Sequence, residues 1–478
     1  MTWLALLLAK LRARGGGAPR RGDAWLATSV ALLARLGVVA FAASQFPPAD
    51  DGKYYHVFAE RLAAGLGYTW PWPDGAVTFA AHYPVGYPLL LAPFYGLFGP
   101  RPVVAMCVNA VVGSAAAFAA HRLAARRASR VGALVASLAV ALHPSLVFYT
   151  AALMTEAVAG ALFVIALAIA AGPADAKCFS LRRVVLAGLV LGVGVLVRPQ
   201  LVLLAPLVPL VAAPRERVAR RFLAVALGVA VTLGVCMPWT LRNCVRMERC
   251  VFVSANVGWN LLIGGSARGN GGWAPLDEVG VPEACRLVFQ EAQKDECFSQ
   301  HARQRIRENP AAWFALVPKK LSVTFDYSGA AAYYMHASNP ALWNAEDKLA
   351  LGIFETIWQR GLLLLGLFAA GRVSGTRSRV RRVVALGAAL SLLTPAAWIG
   401  YLGLVVVACS MGRELVRRPS LFGAAAVVAT TALVHAVFFG SGRYALVTSV
   451  ALAALAGGAF PRRRASQAAA RRGFDTDP

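Results

Sequence analysis

Residues 46–99 read FPPADDGKYYHVFAERLAAGLGYTWPWPDGAVTFAAHYPVGYPLLLAPFYGLFG and follow an apolar run, Ala24 to Ser44, that is long enough to cross a membrane. Two adjacent carboxylates, Asp50 and Asp51, stand just beyond the end of this run. An unpaired carboxylate is costly to bury beside a bilayer, so acids at this position need partners or a function. The stretch therefore predicts an active-site loop held by a scaffold of membrane helices.

The composition places the chain among multi-span membrane proteins. Of its 478 residues, 58% are hydrophobic, and the mean hydropathy is +0.58. A basic start precedes the first apolar run, which lacks a clear small-residue cleavage pattern. We therefore interpret that run as an uncleaved anchor rather than a signal peptide.

The net charge is +25, and the positions of the basic residues along the chain match a membrane topology. Seven short segments beside the apolar runs hold 29 Arg or Lys against 6 Asp or Glu. These segments are 10–23, 122–130, 175–183, 215–221, 372–382, 413–418 and 462–478. The longest polar region, 241–350, is nearly neutral, with 12 basic and 11 acidic residues. This is the positive-inside pattern, whereas a nucleic-acid binder concentrates basic charge on a folded domain, so we expect no nucleic-acid partner.

The apolar runs predict an all-α polytopic fold with about 12 transmembrane helices, in which the first extracytoplasmic loop carries the acids and a larger mixed loop follows later. The expected spans are Ala24–Ser44, Pro102–Leu123, Val131–Phe148, Leu153–Ala171, two short helices within 184–213, Phe222–Trp239, Leu351–Ala370, Val383–Thr394, Ala396–Ser410, Leu421–Gly440 and Tyr444–Phe460. The proline-rich run 83–99 predicts an interfacial or re-entrant piece, and 283–309 a helix. Whether 83–99 and 383–410 cross once, twice or not at all is open.

These expectations divide the chain into consecutive regions. They are a basic cytoplasmic N-terminus (1–23), a transmembrane module (24–240) with the outer loop 45–101, an extracytoplasmic loop (241–350), C-terminal transmembrane helices (351–460) and a basic cytoplasmic tail (461–478). Both termini then lie in the cytoplasm, and the acids face the exterior.

Three acids are candidate catalytic residues. Asp50 and Asp51 can act as general base and metal ligand, or one of them can cap the helix that follows. We favour Asp50 as catalytic. Glu156 opens a helix at its outer end, where it is either stabilised by the helix dipole or acts as a further acid in the same cavity.

Two further side chains of the first loop are candidates for substrate binding. Tyr55 is either an interfacial anchor or a substrate contact, and His82 could bind a phosphate or a metal. No cofactor is certain, and a divalent ion held by Asp50, Asp51, Glu156 and His82 is left open.

Three arginines stand at the predicted outer boundary of a chain whose other arginines are mostly cytoplasmic. Arg198 lies between two short helices, Arg242 follows Pro238–Trp239, and Arg443 precedes Tyr444. Arginine binds phosphate with paired hydrogen bonds, although interfacial arginines also extend toward water without a specific function. We expect Arg198, Arg242, Arg443 and Tyr444 to bind a phosphate group.

The Gly- and Asn-rich loop 254–275 suits sugar binding through Asn256, Trp259 and Asn260, although an ordinary surface loop has the same composition. Four cysteines in the outer region suggest two disulfides in an oxidising compartment. Three pairings are possible, and we favour the local one, Cys244 with Cys250 and Cys285 with Cys297.

Several motifs, taken in order, resemble those of the C-type membrane glycosyltransferases, in the branch of the protein O-mannosyltransferases and aminoarabinose transferases. They are ADDGKYYHVFAERLAAGLGY, HYPVGYPLLLAPFYGLFG, ALHPSLVFYTAALMTE, LVRPQ, PWTLRN with NVGWNLLIGG, and HAVFFGSGRYAL. The resemblance implies an inverting hexosyl or pentosyl transfer from a polyprenyl-phosphate sugar to a protein, lipid or glycan acceptor, on the outer face of a bacterial inner membrane.

The resemblance also implies roles for single residues. The family's catalytic acid falls at Asp50, its second acid at Glu156, and its phosphate-facing Arg–Tyr pair at Arg443 and Tyr444. The chain departs from the family where Val85 replaces a proline, which leaves the role of the neighbouring His82 open. A flippase or transporter of lipid-linked sugars, and a polymerase or ligase of surface polysaccharide, are the alternative functions.

Overall fold

Helices make up most of the computed structural model, which describes residues 17–173, 179–266, 269–375 and 377–462. The first group, α1 to α9, is Arg21–Ala42, Asp51–Ala63, Gly86–Phe98, Pro102–Ala124, Arg130–Ala141, Pro144–Phe148, Glu156–Ala171, Leu181–Val197 and Val218–Arg246. The middle group, α10 to α16, is Val257–Gly264, Leu276–Val279, Glu283–Arg286, Glu291–Glu308, Pro310–Ala315, Val317–Phe325 and Ala330–Ser338. The last group, α17 to α21, is Ala345–Gly371, Ser378–Ser391, Trp398–Cys409, Pro419–Val437 and Leu446–Ala456.

Among the described residues, six helices are long and apolar enough to cross a membrane. They are Gly22–Ala42, Pro102–Ala124, Val218–Arg246, Ala345–Gly371, Pro419–Val437 and Gly442–Ala459. The expectation of a helical, polytopic membrane protein is therefore confirmed at this level. The count of about 12 crossings stays a prediction, because several expected spans are shorter helices.

Prolines determine where two of the expected spans break. Val131–Phe148 was expected as one helix, but it divides into α5 and α6, with Pro144 in the first turn of α6. Proline removes a backbone donor and fixes φ, so it starts a helix well and disfavours continuation through it. In 184–213, α8 ends at Val197 and two 3₁₀ turns, Pro199–Leu204 and Val208–Ala212, take the place of the second helix.

The loop between α1 and α3 contains a β-hairpin, which the expectation of an all-α fold did not include. Strand β1, Thr69–Pro71, pairs antiparallel with β2, Val77–Phe79, in the register Trp70 opposite Thr78. Gly75 adopts φ +88° in the connecting turn, a conformation that favours glycine. The hairpin brings Trp70 back toward α2.

The basic connections converge at one end of the helices. Arg126 Nη1 donates to the carbonyl of Gly172 at 2.7 Å, and Arg127 Nη2 donates to the carbonyl of Arg417 at 2.9 Å. Since α7 begins at Glu156 and ends beside Gly172, its 16 residues separate that acid from the basic end by about 24 Å. The predicted terminal segments 1–16 and 463–478 lie outside the described residues.

Candidate active site

An ion pair joins a helix near the start of the sequence to a turn near its end. Asp51 opens α2, and Arg443 lies in a 3₁₀ turn, Gly442–Ala445, that leads into α21. Arg443 Nη1 donates to Asp51 Oδ2 at 2.8 Å, and the Tyr83 hydroxyl donates to Asp51 Oδ1 at 3.0 Å. Burial by itself raises the pKa of Asp51, but the charge and hydrogen bond of Arg443 and the hydrogen bond of Tyr83 outweigh it and lower the pKa.

Asp50 has a different environment from its neighbour. It occupies the N-cap position of α2 with φ +46° and ψ −124°, a region that a non-glycine residue enters only with strain. The helix starts at Asp51, and the Asp50 side chain makes no capping hydrogen bond within the described part of the chain. The interpretation that one of the two acids caps the helix through its side chain is therefore wrong, because Asp51 is already the first helical residue and Asp50 makes no such bond. Burial raises the pKa of Tyr333, as do the charge of Asp50 and its hydrogen bond to the tyrosine.

A second, more deeply buried ion pair continues from the first. Glu156 keeps 1% of its side chain exposed, and its Oε1 lies 2.9 Å from Arg198 Nη1 and 3.5 Å from Arg443 Nε. The Tyr149 hydroxyl donates to Glu156 Oε2 at 2.8 Å. The result is an alternating chain of charges, Asp51, Arg443, Glu156 and Arg198, which we call the charge cluster.

Aromatic rings hold the guanidinium groups of the cluster in place. The Tyr444 ring lies 4.9 Å from the Arg198 guanidinium and 5.2 Å from that of Arg443, within the range of cation–π attraction. His435 stacks on Tyr444 with ring centroids 4.0 Å apart. Arg443 also donates to the Tyr334 hydroxyl. Both guanidiniums are thus fixed before any ligand arrives.

Arg242 lies beside the hairpin loop and not in the charge cluster, although the sequence grouped it with Arg198 and Arg443. Its guanidinium donates to the carbonyls of Ala80 at 2.7 Å and Tyr68 at 2.8 Å, and it lies over the Trp239 ring at 4.7 Å. These contacts tie the end of α9 to the hairpin loop. These contacts make Arg242 a support of the first loop, and the expectation that it binds phosphate stays a prediction.

The remaining expected substrate residues surround the first loop at different depths. Tyr55 is buried and packs edge-on against Tyr83. The His82 ring lies 5.0 Å from Trp259, which joins the Gly-rich loop to the first loop. Asn256 and Asn260 belong to the start of α10, where the amide of Asn260 donates to the carbonyl of Asn256. The structure thus places Trp259 next to His82, and the two asparagines in the turn that carries it.

Glycines allow the outer loops to approach the turn that carries Arg443. The amide of Gly440 donates to the carbonyl of Gly271 at 2.8 Å. A Cβ added to Gly440 would lie 2.2 Å from the Lys320 carbonyl oxygen, and one added to Gly442 would lie 2.3 Å from that of Tyr327. Any larger residue would displace backbone here, so α15 and the residues after it fix the position of the turn.

The carboxylates do not form a metal site with His82. Among the described residues, no group of three or more His, Cys, Asp or Glu side chains is arranged to hold a metal ion. Asp51 and Glu156 already face guanidiniums, while His82 packs against Tyr83 and Trp259. The suggested metal set of Asp50, Asp51, Glu156 and His82 therefore does not fit.

Two disulfides lie between the end of α9 and α13. The structure bonds Cys244 to Cys250, at the end of α9, and Cys285 to Cys297, between α12 and α13. Both pairs match the local pairing favoured above.

Tyrosines and one histidine of the site were missed at the level of sequence. They are Tyr83, Tyr149, Tyr334 and His435. Tyr83, Tyr149 and His435 fall inside motifs quoted above, which was the available signal, but a single tyrosine or histidine has no spacing that distinguishes a site residue from a packing residue.

Comparison with known families supports the resemblance. Residues 82–241 match the model of the family described as dolichyl-phosphate-mannose-protein mannosyltransferase. This segment contains Glu156 and Arg198 but not Asp51 or Arg443. The match confirms the resemblance to C-type membrane glycosyltransferases that the motifs predicted. No curated protein matches the chain.

Solved structures of two kinds are similar to the chain at low sequence identity. ArnT from Cupriavidus metallidurans in the apo state has a TM-score of 0.38 and 18% identity, over 92% of this chain and 78% of that one. The same protein bound to undecaprenyl phosphate has a TM-score of 0.39 and 17% identity, over 91% and 78%. The oligosaccharyltransferase of Archaeoglobus fulgidus in the apo form has a TM-score of 0.44 and 13% identity, over 91% and 50%.

Proposed function

We propose that this chain is an inverting glycosyltransferase that moves a sugar from a polyprenyl-phosphate carrier to an acceptor hydroxyl on the outer face of a bacterial inner membrane. The observation that carries the proposal is the charge cluster, in which two guanidiniums and two carboxylates meet at the end of the helices away from the basic connections. The family match of residues 82–241 supports transfer of a lipid-linked sugar.

The guanidiniums of Arg443 and Arg198 suit a donor phosphate. Both keep part of their side chains exposed, 21% and 14%, and a guanidinium matches a phosphate with paired hydrogen bonds. Arg198 Nε is buried and has no hydrogen-bond partner among the described residues, so the guanidinium keeps one donor that the described side chains do not use. We infer that the donor phosphate lies between these two side chains, with Tyr444 supporting them.

The reaction then needs little acid assistance, because the leaving group is already a phosphate. The acceptor oxygen attacks the anomeric carbon, the bond from that carbon to the phosphate oxygen breaks, and the phosphate departs with the electron pair. Positioned guanidiniums stabilise the charge that grows on the phosphate. The single displacement inverts the anomeric configuration.

Asp50 is the better candidate for the base that accepts the hydroxyl proton. Asp51 is held by Arg443 and Tyr83 at both oxygens, which fixes the arginine and lowers the proton affinity of the carboxylate. Asp50 is exposed and lies on strained backbone, a combination that is frequent at functional sites. We therefore assign base catalysis to Asp50 and positioning of Arg443 to Asp51.

The test compares Asp50→Asn with Asp74→Asn in cells that depend on this protein for the sugar modification. Asp74 is a matched control, since it is an exposed carboxylate in the hairpin turn of the same loop. Mass spectrometry of lipid and glycan extracts should show that Asp50→Asn reduces transfer about 10²- to 10⁴-fold, while Asp74→Asn does not. Intact flipping of the carrier with loss of transfer excludes a flippase. Unchanged transfer by Asp50→Asn would overturn the assignment.

A further inference from the structure

One carboxylate is buried in the helical bundle and binds backbone amides. Glu355, on α17, is 0% exposed. Its Oε1 accepts a hydrogen bond from the amide of Ala332 at 2.8 Å, and its Oε2 accepts one from the amide of Ala331 at 3.3 Å. In the part of the chain that the structure describes, no Lys, Arg or His side chain forms an ion pair with it. A carboxylate is costly to bury among apolar helices, so these two hydrogen bonds hold it in place.

Both amides belong to the first turn of α16, where a helix leaves its N–H groups without partners of its own. Gly329 precedes this helix, and it has no side chain that could cap these groups. Glu355 therefore supplies from α17 the cap that the residue before α16 does not supply. The contact fixes where α16 begins relative to α17.

Two tyrosines of the candidate site follow these amides directly in α16. The Tyr334 hydroxyl accepts a hydrogen bond from Arg443, and the Tyr334 ring meets that of Tyr149 edge to face at 5.6 Å between centroids. Tyr333 is hydrogen-bonded to Asp50. A shift at the start of α16 would therefore move one tyrosine away from the arginine and the other away from the candidate base.

Gln359 lies one turn after Glu355 on α17 and contacts two further helices. It is 1% exposed. Its Oε1 lies 3.1 Å from Nε2 of His143, at the start of α6, and accepts from the Ser449 hydroxyl of α21 at 2.9 Å. Its Nε2 donates to the Thr448 hydroxyl of α21 at 3.3 Å. Through Glu355 and Gln359, α17 thus binds α16, α6 and α21, the helices that carry or adjoin side chains of the site.

We propose that Glu355 is a positioning residue for the proposed transfer reaction, and that it acts by holding Tyr334 against Arg443. The inference rests on the proposed glycosyl transfer and extends it to a residue outside the charge cluster. Glu355 is fully buried, so it acts through other residues and not by contact with a substrate. A guanidinium stabilises the charge that grows on a leaving phosphate only where it is correctly placed, and a displacement of about 1 Å can lower a rate about 10²-fold.

A residue that only stabilises the fold would affect transfer solely through the amount of folded protein. Leu363 provides the comparison, since it lies about two turns further along α17 and is also 0% exposed, but has an apolar side chain. Leu363→Ala leaves a cavity that lowers stability without removing a hydrogen bond. Transfer per folded chain therefore distinguishes a positioning role from a stabilising one.

The experiment measures Glu355→Gln, Leu363→Ala, Tyr334→Phe and the double variant Glu355→Gln/Tyr334→Phe in the full chain. Glu355→Gln keeps the shape of the side chain but offers an acceptor to only one of the two amides. Glu355→Asp, which keeps both oxygens on a shorter side chain, is the second variant. Thermal unfolding and thermophoresis with undecaprenyl phosphate use the protein in lipid nanodiscs. Mass spectrometry of extracts measures sugar transfer in cells that depend on this protein, relative to the amount of folded chain.

Both Glu355 variants should lower transfer per folded chain about 10- to 100-fold. Undecaprenyl phosphate affinity should change by less than about threefold, since Arg198 still binds the phosphate. Leu363→Ala should lose thermal stability and keep its transfer per folded chain. The double variant should transfer no less than the less active of its two single variants, because both changes break the same contact.

Four results would overturn the proposal. They are unchanged transfer by both Glu355 variants, additive losses in the double variant, a loss of affinity as large as the loss of transfer, and an equal loss of transfer in Leu363→Ala. Failure of the unaltered chain to bind undecaprenyl phosphate would count against the proposed function instead.

Discussion

Replacing Glu156 by glutamine tests whether charge balance controls the candidate donor site. The side chain is 1% exposed and keeps its shape in Glu156→Gln, so the substitution changes charge with little change in volume. The charge cluster is neutral as it stands, with two carboxylates and two guanidiniums. The variant carries a net charge of +1 and should attract an anion more strongly.

The magnitude follows from the distances within the cluster. A phosphate bound by Arg443 and Arg198 would lie on the far side of these groups from Glu156. At a separation of about 6 Å and an effective dielectric constant of about 20, the phosphate and the Glu156 carboxylate would repel each other by about 3 kcal/mol. Removing that repulsion should tighten undecaprenyl phosphate binding by roughly tenfold to a hundredfold, because some attraction is lost as the arginines move. The measurement is native mass spectrometry or thermophoresis of the purified protein at low salt.

The same variant should lose turnover while it gains affinity. The guanidiniums lose the carboxylate that fixes them at 2.9 and 3.5 Å, and a displaced transition-state donor commonly lowers kcat about 10²- to 10³-fold. Tyr149→Phe is the matched control, since it removes a hydrogen bond to the same carboxylate without changing its charge, and it should not tighten phosphate binding. Unchanged or weaker phosphate binding by Glu156→Gln would refute the charge-balance reasoning.

Three further predictions concern the residues beside the charge cluster. Gly442→Ala should lower the free energy of unfolding by about 1–3 kcal/mol and reduce transfer, because the added Cβ would meet the Tyr327 carbonyl. Gly361→Ala is the control, since a Cβ there enters open space, and it should change neither stability nor transfer. Thermal unfolding and transfer assays measure both variants. Asp51→Asn should lower the melting temperature by a constant amount above about pH 5, and the difference should vanish on acidification, because a lowered pKa contributes stability that is lost as the pH falls through it. Asp50→Gly should raise the melting temperature while abolishing transfer, since glycine accepts φ +46° without strain; Asp50→Ala should abolish transfer with no gain in stability.

The site residues of the cluster were recognisable singly, but their pairing was not. Asp51 and Glu156 stood out because a carboxylate beside an apolar run is costly to bury, and Arg443 because it broke the positive-inside pattern. Nothing in the spacing joins Asp51 to Arg443, which lies 392 positions away. That contact depends on how α2 and the last span pack, which local pattern does not specify.

The local sequence predicted where helices end better than it predicted whether a segment forms a helix or a strand. A break was expected at Arg198, between two short helices, and α8 ends at Val197 with a 3₁₀ turn beginning at Pro199. The segment TWPWPDGAVTF carries strand-forming residues on both sides of a Pro-Asp-Gly turn, which is the pattern of a hairpin. The apolar runs on either side dominated the interpretation of the fold, so this short sheet was missed.

The start of α2 explains how two adjacent acids come to occupy different environments. The positive φ of Asp50 turns the chain immediately before the first helical residue. Asp51 consequently directs its carboxylate to Arg443, while Asp50 stays exposed near Tyr333. A single turn thus separates an acid that is paired with Arg443 from an exposed acid beside Tyr333, which suits the different roles proposed for the two carboxylates. If the helix began one residue earlier, Asp50 would follow the regular helical path and this separation would be lost, which gives a physical reason for the strained backbone at this position.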